Sequence, residues 1–286
     1  MRGVTLDSLV GSVQDLPAMP TAVIEVLKET ASGSATAGTV ANAILQDPGI
    51  AARVLRLANS AYYGLSREVA RVQDAVVVLG FRTVRSLVLV AGTYPLLKRP
   101  LESYRLDGEE LWQYAGAVAV GAHTVASHTG ACDPDEAFGC GLLHDIGRIA
   151  LDESLGDRLP IILRMTSDGL ASFDEAERVH LGFDHGEVGA HMARSWNLPP
   201  AYIAAMQYHH RPEETESHAS TVDCVHIGMA LALAMGHGLG VDGLGHRLSS
   251  DALERLRVDG ASFERLASDY TNAYSKQSRL LEAVAA

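Results

Sequence analysis

Apolar residues recur every three or four positions along most of the chain, which places them on one face of an α-helix. Near the start this spacing is clearest in Val23, Val26 and Leu27, which follow Pro20. Two further amphipathic segments follow, one ended by Asp47-Pro48 and one that closes near Asn59. The strict alternation typical of β-strands is hard to find. The pattern therefore predicts an all-α protein.

The next apolar segments meet at a glycine. One carries Val76-Val77-Val78-Leu79 and stops at Gly80, and the following one runs up to Gly92. The valine run is β-branched enough for a short strand, but its neighbours keep the helical spacing and we predict a helix. Helical spacing predicts the remaining helices over residues 109–130, 134–145, 159–169, 172–181, 185–196, 200–209, 221–236, 251–258 and 262–283.

The domain organisation follows from one weak point in this pattern. Residues 97–107 contain a proline and mixed charges, and they are the best candidate for a seam between two lobes. We predict an N-terminal helical lobe over residues 1–105 and a second lobe over residues 106–240. Residues 241–286 are predicted to be C-terminal helices that extend the same domain.

Composition and charge narrow the class of protein. The chain has 286 residues, of which 47% are hydrophobic, so it can bury a substantial core. Its formal net charge of −12 disfavours direct binding to a phosphate backbone, because nucleic-acid binders present a basic face. The three cysteines are odd in number and lack the CxxC spacing, which favours reduced, buried thiols over a disulfide framework.

Neither a signal peptide nor a membrane span is predicted. The first residues lack the apolar core of a signal peptide. The stretch from residue 76 to residue 91 comes closest to a membrane span, but Arg82 and Arg85 interrupt it. We therefore expect a cytoplasmic protein that does not bind membranes.

A histidine and an aspartate stand side by side as His144-Asp145, and His185, His209 and His210 follow. Imidazoles gathered around a carboxylate are typical of divalent-metal sites that act on phosphoesters. The adjacent His209 and His210 would diverge by about 100° on a helix. Both can therefore reach one site only at a helix end. The alternative is a structural pair, in which His144 and Asp145 satisfy helix ends in a packed interior.

Four motifs in the first half occur in the order found in a known family. They are Leu16-Pro17-Ala18-Met19-Pro20, Ile44-Leu45-Gln46-Asp47-Pro48, Leu57-Ala58-Asn59-Ser60-Ala61-Tyr62-Tyr63-Gly64 and Ala75-Val76-Val77-Val78-Leu79-Gly80. Together with the His-Asp motif they make the chain similar to the HDOD domain, a bacterial signalling module related to the HD phosphohydrolases. The resemblance covers roughly residues 10–240. It implies an HD-like helical bundle with an N-terminal lobe, a regulatory role and a degraded metal site.

The resemblance also identifies two lost ligands. Where HD phosphohydrolases carry a histidine after the tryptophan at position 112, this chain has Tyr114, and the last aspartate of the HD pattern aligns with Met229. A phenol with a pKa near 10 and a thioether are both poor ligands for the cations used in phosphoester hydrolysis. Asp223 or His226 could complete a metal shell in their place.

The cyclic-dinucleotide phosphodiesterase relatives place a lysine where this chain has Arg148, and they carry a Gly-Tyr-Pro signature that is absent from residues 211–215. Arginine cannot transfer protons near neutral pH, although its planar guanidinium can bind a phosphate. Five candidate metal ligands remain, namely His144, Asp145, His185, His209 and His210. Histidines at seven other positions fit no ligand spacing and are expected in the core or on the surface: His123, His128, His180, His191, His218, His237 and His246.

Two functions follow from these observations. In the first, the protein is a non-catalytic regulator that binds an unidentified signalling protein, and no catalytic residue is assigned. In the second, it is a metal-dependent phosphohydrolase acting on a nucleotide or another phosphoester. The expected cofactor is one divalent transition metal, either iron, zinc, nickel or manganese, or none at all.

Overall fold

The computed structural model describes residue 6 and residues 18–238 and 245–284. The residues outside this description are 1–5, 7–17, 239–244 and 285–286. They include Leu16 and Pro17 of the first motif and parts of the predicted lobes. The described part is mostly helical, and its only extended pairing is an isolated bridge between Leu101 and Leu106. The predicted all-α fold is confirmed. The division into lobes at residues 105 and 240 stays a prediction.

Four helices form the first part of the molecule: α1 (Thr21–Ala31), α2 (Ala37–Leu45), α3 (Pro48–Ala58) and α4 (Val72–Leu97). Asp47-Pro48 ends α2 as predicted and also begins α3, because the Asp47 side chain accepts a hydrogen bond from the Ile50 N–H. The apolar faces of α1, α2 and α3 pack against α4.

Two glycines shape α4 in different ways. Gly80 breaks the helix with φ 81°, a value that only glycine adopts readily, so the predicted break is correct. The predicted end at Gly92 is wrong, since the helix continues to Leu97. Gly92 instead allows close packing, because a Cβ atom there would collide with the Val23 side chain. Among the described helices α4 alone is long and apolar enough to cross a membrane, and half of its most apolar window is buried inside the protein.

The second part is built around two crossed helices. Gly121 lies in the helix Glu110–Thr129, and Gly228 lies in the helix Ala219–Ala234. A Cβ atom on Gly121 would lie 2.6 Å from the carbonyl oxygen of Gly228, so only glycine permits this approach. The helices of this part are α5 (Glu110–Thr129), α6 (Pro134–Leu143), α7 (Gly147–Leu155), α8 (Leu159–Ser167), α9 (Phe173–Leu181), α10 (His185–Ser195), α11 (Pro200–Tyr208), α12 (Ala219–Ala234), α13 (Ser250–Arg255) and α14 (Gly260–Ala283).

The sequence pattern did not predict α7, which begins two residues after Asp145. Its first residue, Gly147, lies directly against the start of α10, where a Cβ atom would collide with the carbonyl oxygen of His185. This contact places Arg148 beside His185. The fold thereby brings the start of α7 and the start of α10 together.

Candidate metal centre

The predicted ligands all lie at the ends of helices. His144 and Asp145 occupy the turn between α6 and α7, and His185 is the first residue of α10. His209 and His210 follow Tyr208, the last residue of α11. Because these two histidines lie beyond the regular helix, both rings can point toward one centre.

The side chains of Asp145, His185, His209 and His210 converge, and one ligand atom from each lies within 4.8 Å of all the others. Oδ1 of Asp145 lies 3.2 Å from Nε2 of His185 and 3.6 Å from Nε2 of His209. Nε2 of His185 lies 2.9 Å from Nε2 of His210. A cluster of three imidazoles and one carboxylate at these separations could hold one metal ion.

Hydrogen bonds orient the imidazoles toward the centre of this cluster. Nδ1 of His209 lies 2.7 Å from the carbonyl oxygen of Met206, and Nδ1 of His185 lies 2.6 Å from the Glu177 carboxylate. Since both partners only accept, each Nδ1 carries the hydrogen and donates it. Each Nε2 therefore faces inward, which is the arrangement that outer hydrogen bonds impose on metal-bound histidines. The residues present fit a metal ion.

His144 lies beside these four residues. Its Nδ1 donates to the carbonyl oxygen of Gly141 at 2.7 Å, and its Nε2 lies 3.5 Å from Oδ2 of Asp145. Within the described part of the chain this buried Nε2 has no hydrogen-bond partner. Such an atom is costly in a packed interior unless something binds it. The fifth predicted ligand thus lies at the edge of the cluster with a buried nitrogen available.

The protonation states of the histidines differ sharply. Burial and the charge of Arg148 oppose protonation of His185, but the carboxylates of Glu177 and Asp145 raise its pKa to about 10. Burial and neighbouring imidazoles hold the pKa values of His209 and His210 well below the usual range. In the metal-free protein, therefore, both ring nitrogens of His185 are protonated and the ring is charged, while His209 and His210 are neutral. A bound cation would take the place of the proton on Nε2 of His185.

Arg148 lies inside the ligand set. Its Nε donates to Oδ2 of Asp145 at 2.7 Å, and one terminal nitrogen lies 3.4 Å from Nε2 of His185. The guanidinium also lies over the ring of Tyr104, 5.1 Å from its centroid. Burial acts in the opposite direction, yet this charge helps to hold the pKa of Asp145 well below its usual range. Arg148 therefore competes with any cation for one oxygen of Asp145.

The two positions aligned with lost ligands lie next to the cluster. Tyr114 and Met229 line a cavity of about 10 Å³ together with Arg148 and His210, and the Tyr114 ring lies 5.5 Å from the ring of His144. A cavity of this size holds about one water molecule. This cavity therefore has no room for a larger molecule.

The proposed substitutes for the lost ligands have other roles. Asp223 accepts two hydrogen bonds from Arg255, at 2.8 and 2.6 Å. Nδ1 of His226 donates to the carbonyl oxygen of His209 at 2.7 Å, and its Nε2 accepts the N–H of Ser249 at 2.9 Å. Neither residue belongs to the cluster. His226 instead holds the backbone of His209 in place.

Glu177 is a residue that the sequence analysis missed. It is fully buried, its Oε2 binds His185, and its Oε1 accepts the hydroxyl hydrogen of Tyr104 at 2.7 Å. A signal was present in the sequence, because Phe173, Glu177 and Leu181 share one helix face at i, i+4 and i+8. A carboxylate in the apolar stripe of a helix needs a buried partner.

His246 is the second residue that was missed. Its ring lies 4.7 Å from the ring of His226 and 6.3 Å from that of His210. It lines the small cavity and also a larger cleft of about 510 Å³, which is lined mainly by polar residues. His210 lines both spaces as well, so one ligand of the cluster already borders the larger cleft. No sequence spacing could have placed His246 there, since this contact depends on how the C-terminal segment packs.

Ion pairs surround Asp184 at the start of α10. Asp184 caps α10, with its side chain accepting the N–H of Glu187 at 2.8 Å. The same carboxylate pairs with Arg178 and, at 2.9 Å, with Arg211. These contacts fix the start of α10, and with it His185.

Comparison with known proteins assigns this architecture to a family. The family model of the HDOD domain matches residues 16–212. A crystal structure from Shewanella amazonensis, provisionally named a phosphohydrolase, is 26% identical with a TM-score of 0.72, and the match covers 96% of this chain and 97% of that one. An HDOD domain protein of unknown function from Geobacter sulfurreducens is 25% identical with a TM-score of 0.69, covering 98% and 95%.

Two further matches differ in length from this chain. A structure from Marinobacter aquaeolei VT8, provisionally named a signal transduction protein, shares the fold with a TM-score of 0.75 at 20% identity, covering 98% of this chain and 61% of that one. An uncharacterized protein of Treponema pallidum (strain Nichols) is 25% identical over 75% of this chain. The chain spans 42% of the length of that curated relative.

Proposed function

Because the chain belongs to the HDOD family, we propose that it is a bacterial signal-transduction regulator that binds one divalent transition metal and does not hydrolyse phosphoesters. The ligands in this proposal are Asp145, His185, His209 and His210, with His144 beside them. One observation carries it. The ligand atoms lie within 4.8 Å of one another, and Arg148 already pairs with Oδ2 of Asp145 at 2.7 Å.

The nature of the metal follows from the donor set. Three imidazoles and one carboxylate suit iron, zinc, nickel or manganese. When bound, such an ion acts as a Lewis acid and lowers the pKa of a coordinated water. The chain itself would contribute the loss of the His185 proton, the orientation imposed by Glu177, and the exclusion of water by burial.

Several features argue against catalysis. Arg148 cannot give or take a proton near neutral pH. Tyr114 and Met229 supply neither a hard ligand nor a general base at the cavity that they line. Among the ligands only His210 lines the cleft of about 510 Å³, whereas Asp145, His185 and His209 are buried, so a phosphoester in that cleft would reach a single ligand. The metal is then a structural or sensing element of a regulatory protein.

A regulator without a substrate acts through another molecule, and we propose a signalling protein as that partner. Nucleic acid is disfavoured because the net charge is −12. We place the protein in the cytoplasm.

Metal-dependent phosphohydrolysis is the second candidate, and a specific observation favours it. A guanidinium 2.7 Å from a metal-ligand carboxylate is well placed to bind a phosphate oxygen. The related Shewanella structure is provisionally named a phosphohydrolase. Such an activity would require the cleft to open further, because among the ligands only His210 lines it.

Elemental analysis of untagged protein, purified without chelators, tests the proposal together with turnover of an aryl phosphate and a diaryl phosphate. We expect about one equivalent of transition metal in the parent protein and near zero in Asp145→Asn. The matched control is His128→Ala, which removes a histidine from α5 whose imidazole pairs with Asp269, and it should retain the metal. Neither metal-loaded parent nor control should show turnover above that of Asp145→Asn.

The two candidates separate cleanly in this experiment. Turnover that requires both the metal and Asp145 would overturn the non-catalytic proposal and establish the hydrolase. If the folded parent protein stayed metal-free after incubation with each of the four metals, metal binding would be excluded, and both the metal-binding regulator and the metal-dependent hydrolase would be wrong.

A further inference from the structure

Two cysteines far apart in the sequence meet beside the first half of α12. Cys132 lies in the turn between α5 and α6, and Cys224 lies in the first half of α12. Their Sγ atoms are 3.7 Å apart although 92 residues separate them. A disulfide requires about 2.05 Å between the sulfurs, so a shift of less than 2 Å would join them.

The environments of the two sulfurs differ in a way that suits reaction. Cys132 is half-buried in a turn, whereas Cys224 is fully buried on a helix. A hydrogen bond with Cys224 lowers the pKa of Cys132, which favours its thiolate. The same hydrogen bond and burial raise the pKa of Cys224, which stays a thiol. One sulfur is thus reachable and nucleophilic, and the other is held beside it.

We propose that Cys132 and Cys224 form a reversible disulfide when the protein meets a peroxide. The Cys132 sulfur attacks one peroxide oxygen, the O–O bond breaks, and a sulfenic acid and one water result. The Cys224 sulfur then attacks the Cys132 sulfur, the S–O bond breaks, and a second water leaves with the Cys224 proton. Overall two thiols lose two electrons to one hydrogen peroxide, giving one disulfide and two waters.

The third cysteine provides an internal control. Cys140 is fully buried in α6, and burial raises its pKa well above the usual range. It should stay a thiol under conditions that oxidise the other two. This inference rests on the two sulfurs alone and is independent of the proposed metal site.

Titration of the folded, reduced protein with hydrogen peroxide, followed by intact mass and non-reducing peptide mapping, tests the pair. We expect a loss of about 2 Da per chain, a cross-linked peptide containing residues 132 and 224, and full reversal by dithiothreitol. Cys140→Ser should behave as the parent does. Cys132→Ser should retain its remaining thiols at the same peroxide dose.

Because the decisive measurement uses the parent protein, it does not depend on how well any variant folds. Gain of two or three oxygens on Cys132 with Cys224 still free would overturn the proposal. So would a cross-link that involves Cys140, or one that forms only between two chains.

Discussion

The helices α1–α4 and the helices α5–α12 bury very different side chains. In α1–α4 the only fully enclosed polar side chain among the described residues, tyrosines aside, is Thr93, and it donates to the Leu89 carbonyl of its own helix at 2.7 Å. In α5–α12 and their connections the enclosed polar and charged side chains are Thr124, His144, Asp145, Arg148, Asp174, Glu177, Asp184, His185, His209, Thr221, Asp223 and His226.

This difference separates two ways of holding a protein together. Apolar packing in α1–α4 needs no particular partner beyond shape and volume. Charged groups in α5–α12 are tolerated only because each one meets another, and removing one member leaves the rest without compensation. The first region is therefore a scaffold, and the second is the region whose stability should respond to a ligand.

Arg148→Met should give the largest effect. The variant leaves the buried Asp145 carboxylate without its guanidinium, which costs about 3–5 kcal/mol in the metal-free protein. Removing a competing positive charge should also tighten metal binding, so saturating zinc or manganese should recover much of the loss. Urea unfolding with chelator and with metal measures both effects.

The matched variant for this test is Arg148→Lys, which keeps the positive charge and should give a smaller loss. If Arg148→Met were equally destabilised with and without metal, Arg148 would not compete with the metal for Asp145.

Leu87→Ala should cost about 3 kcal/mol, because Leu87 is fully buried in α4 and its removal leaves a cavity. In contrast to the Arg148 variant, the loss should be the same with chelator and with saturating metal. The same urea unfolding measures it. A loss that metal reverses would show that the two regions are more tightly coupled than their buried residues suggest.

Glu177→Gln should weaken metal binding about 10–100-fold, because the carboxylate orients His185 and raises its basicity. Competition with a chromogenic chelator gives the affinity. Glu175→Gln is the control, since glutamine also serves in the capping box with Ser172 and Glu175 does not contact the cluster. Equal affinities for the two variants would remove Glu177 from the site.

A pH dependence follows from the raised pKa of His185. Folding favours its proton, so in metal-free protein this contribution to stability is fully present below pH about 6.5 and is lost as the pH rises through about 10. Urea unfolding at several pH values should show the decline, and Glu177→Gln should flatten it. An unchanged slope in the variant would mean that another group titrates.

How much the sequence predicted also differs between the two regions. Helical spacing predicts α1, α2 and α3 closely, because a helix that packs one face on a core carries apolar residues at every third or fourth position. At Gly92 the sequence misled, since the glycine serves close packing with Val23 rather than a helix end. Local pattern reports which face is buried and says little about what lies opposite.

The site shows the same limit more strongly. Adjacent His144-Asp145 and His209-His210 stand out in the sequence, and the structure brings Asp145 and both later histidines together with His185. Two neighbours of the site could not be predicted, because Tyr104 and His246 reach it only through tertiary packing. Only Glu177 could have been identified from the sequence, because it is a charged residue on the otherwise apolar face of α9.

Val77→Ser should have the smallest effect, below about 0.5 kcal/mol, because this side chain on α4 is 68% exposed. Its neighbour Val76 is 2% exposed, and Val76→Ser should cost several times more, since it loses apolar burial and encloses a hydroxyl. Thermal unfolding of both variants measures the contrast. A clear loss in Val77→Ser that grows with protein concentration would show that this face of α4 is covered in solution by a second copy, and α1–α4 would then be an interface as well as a scaffold.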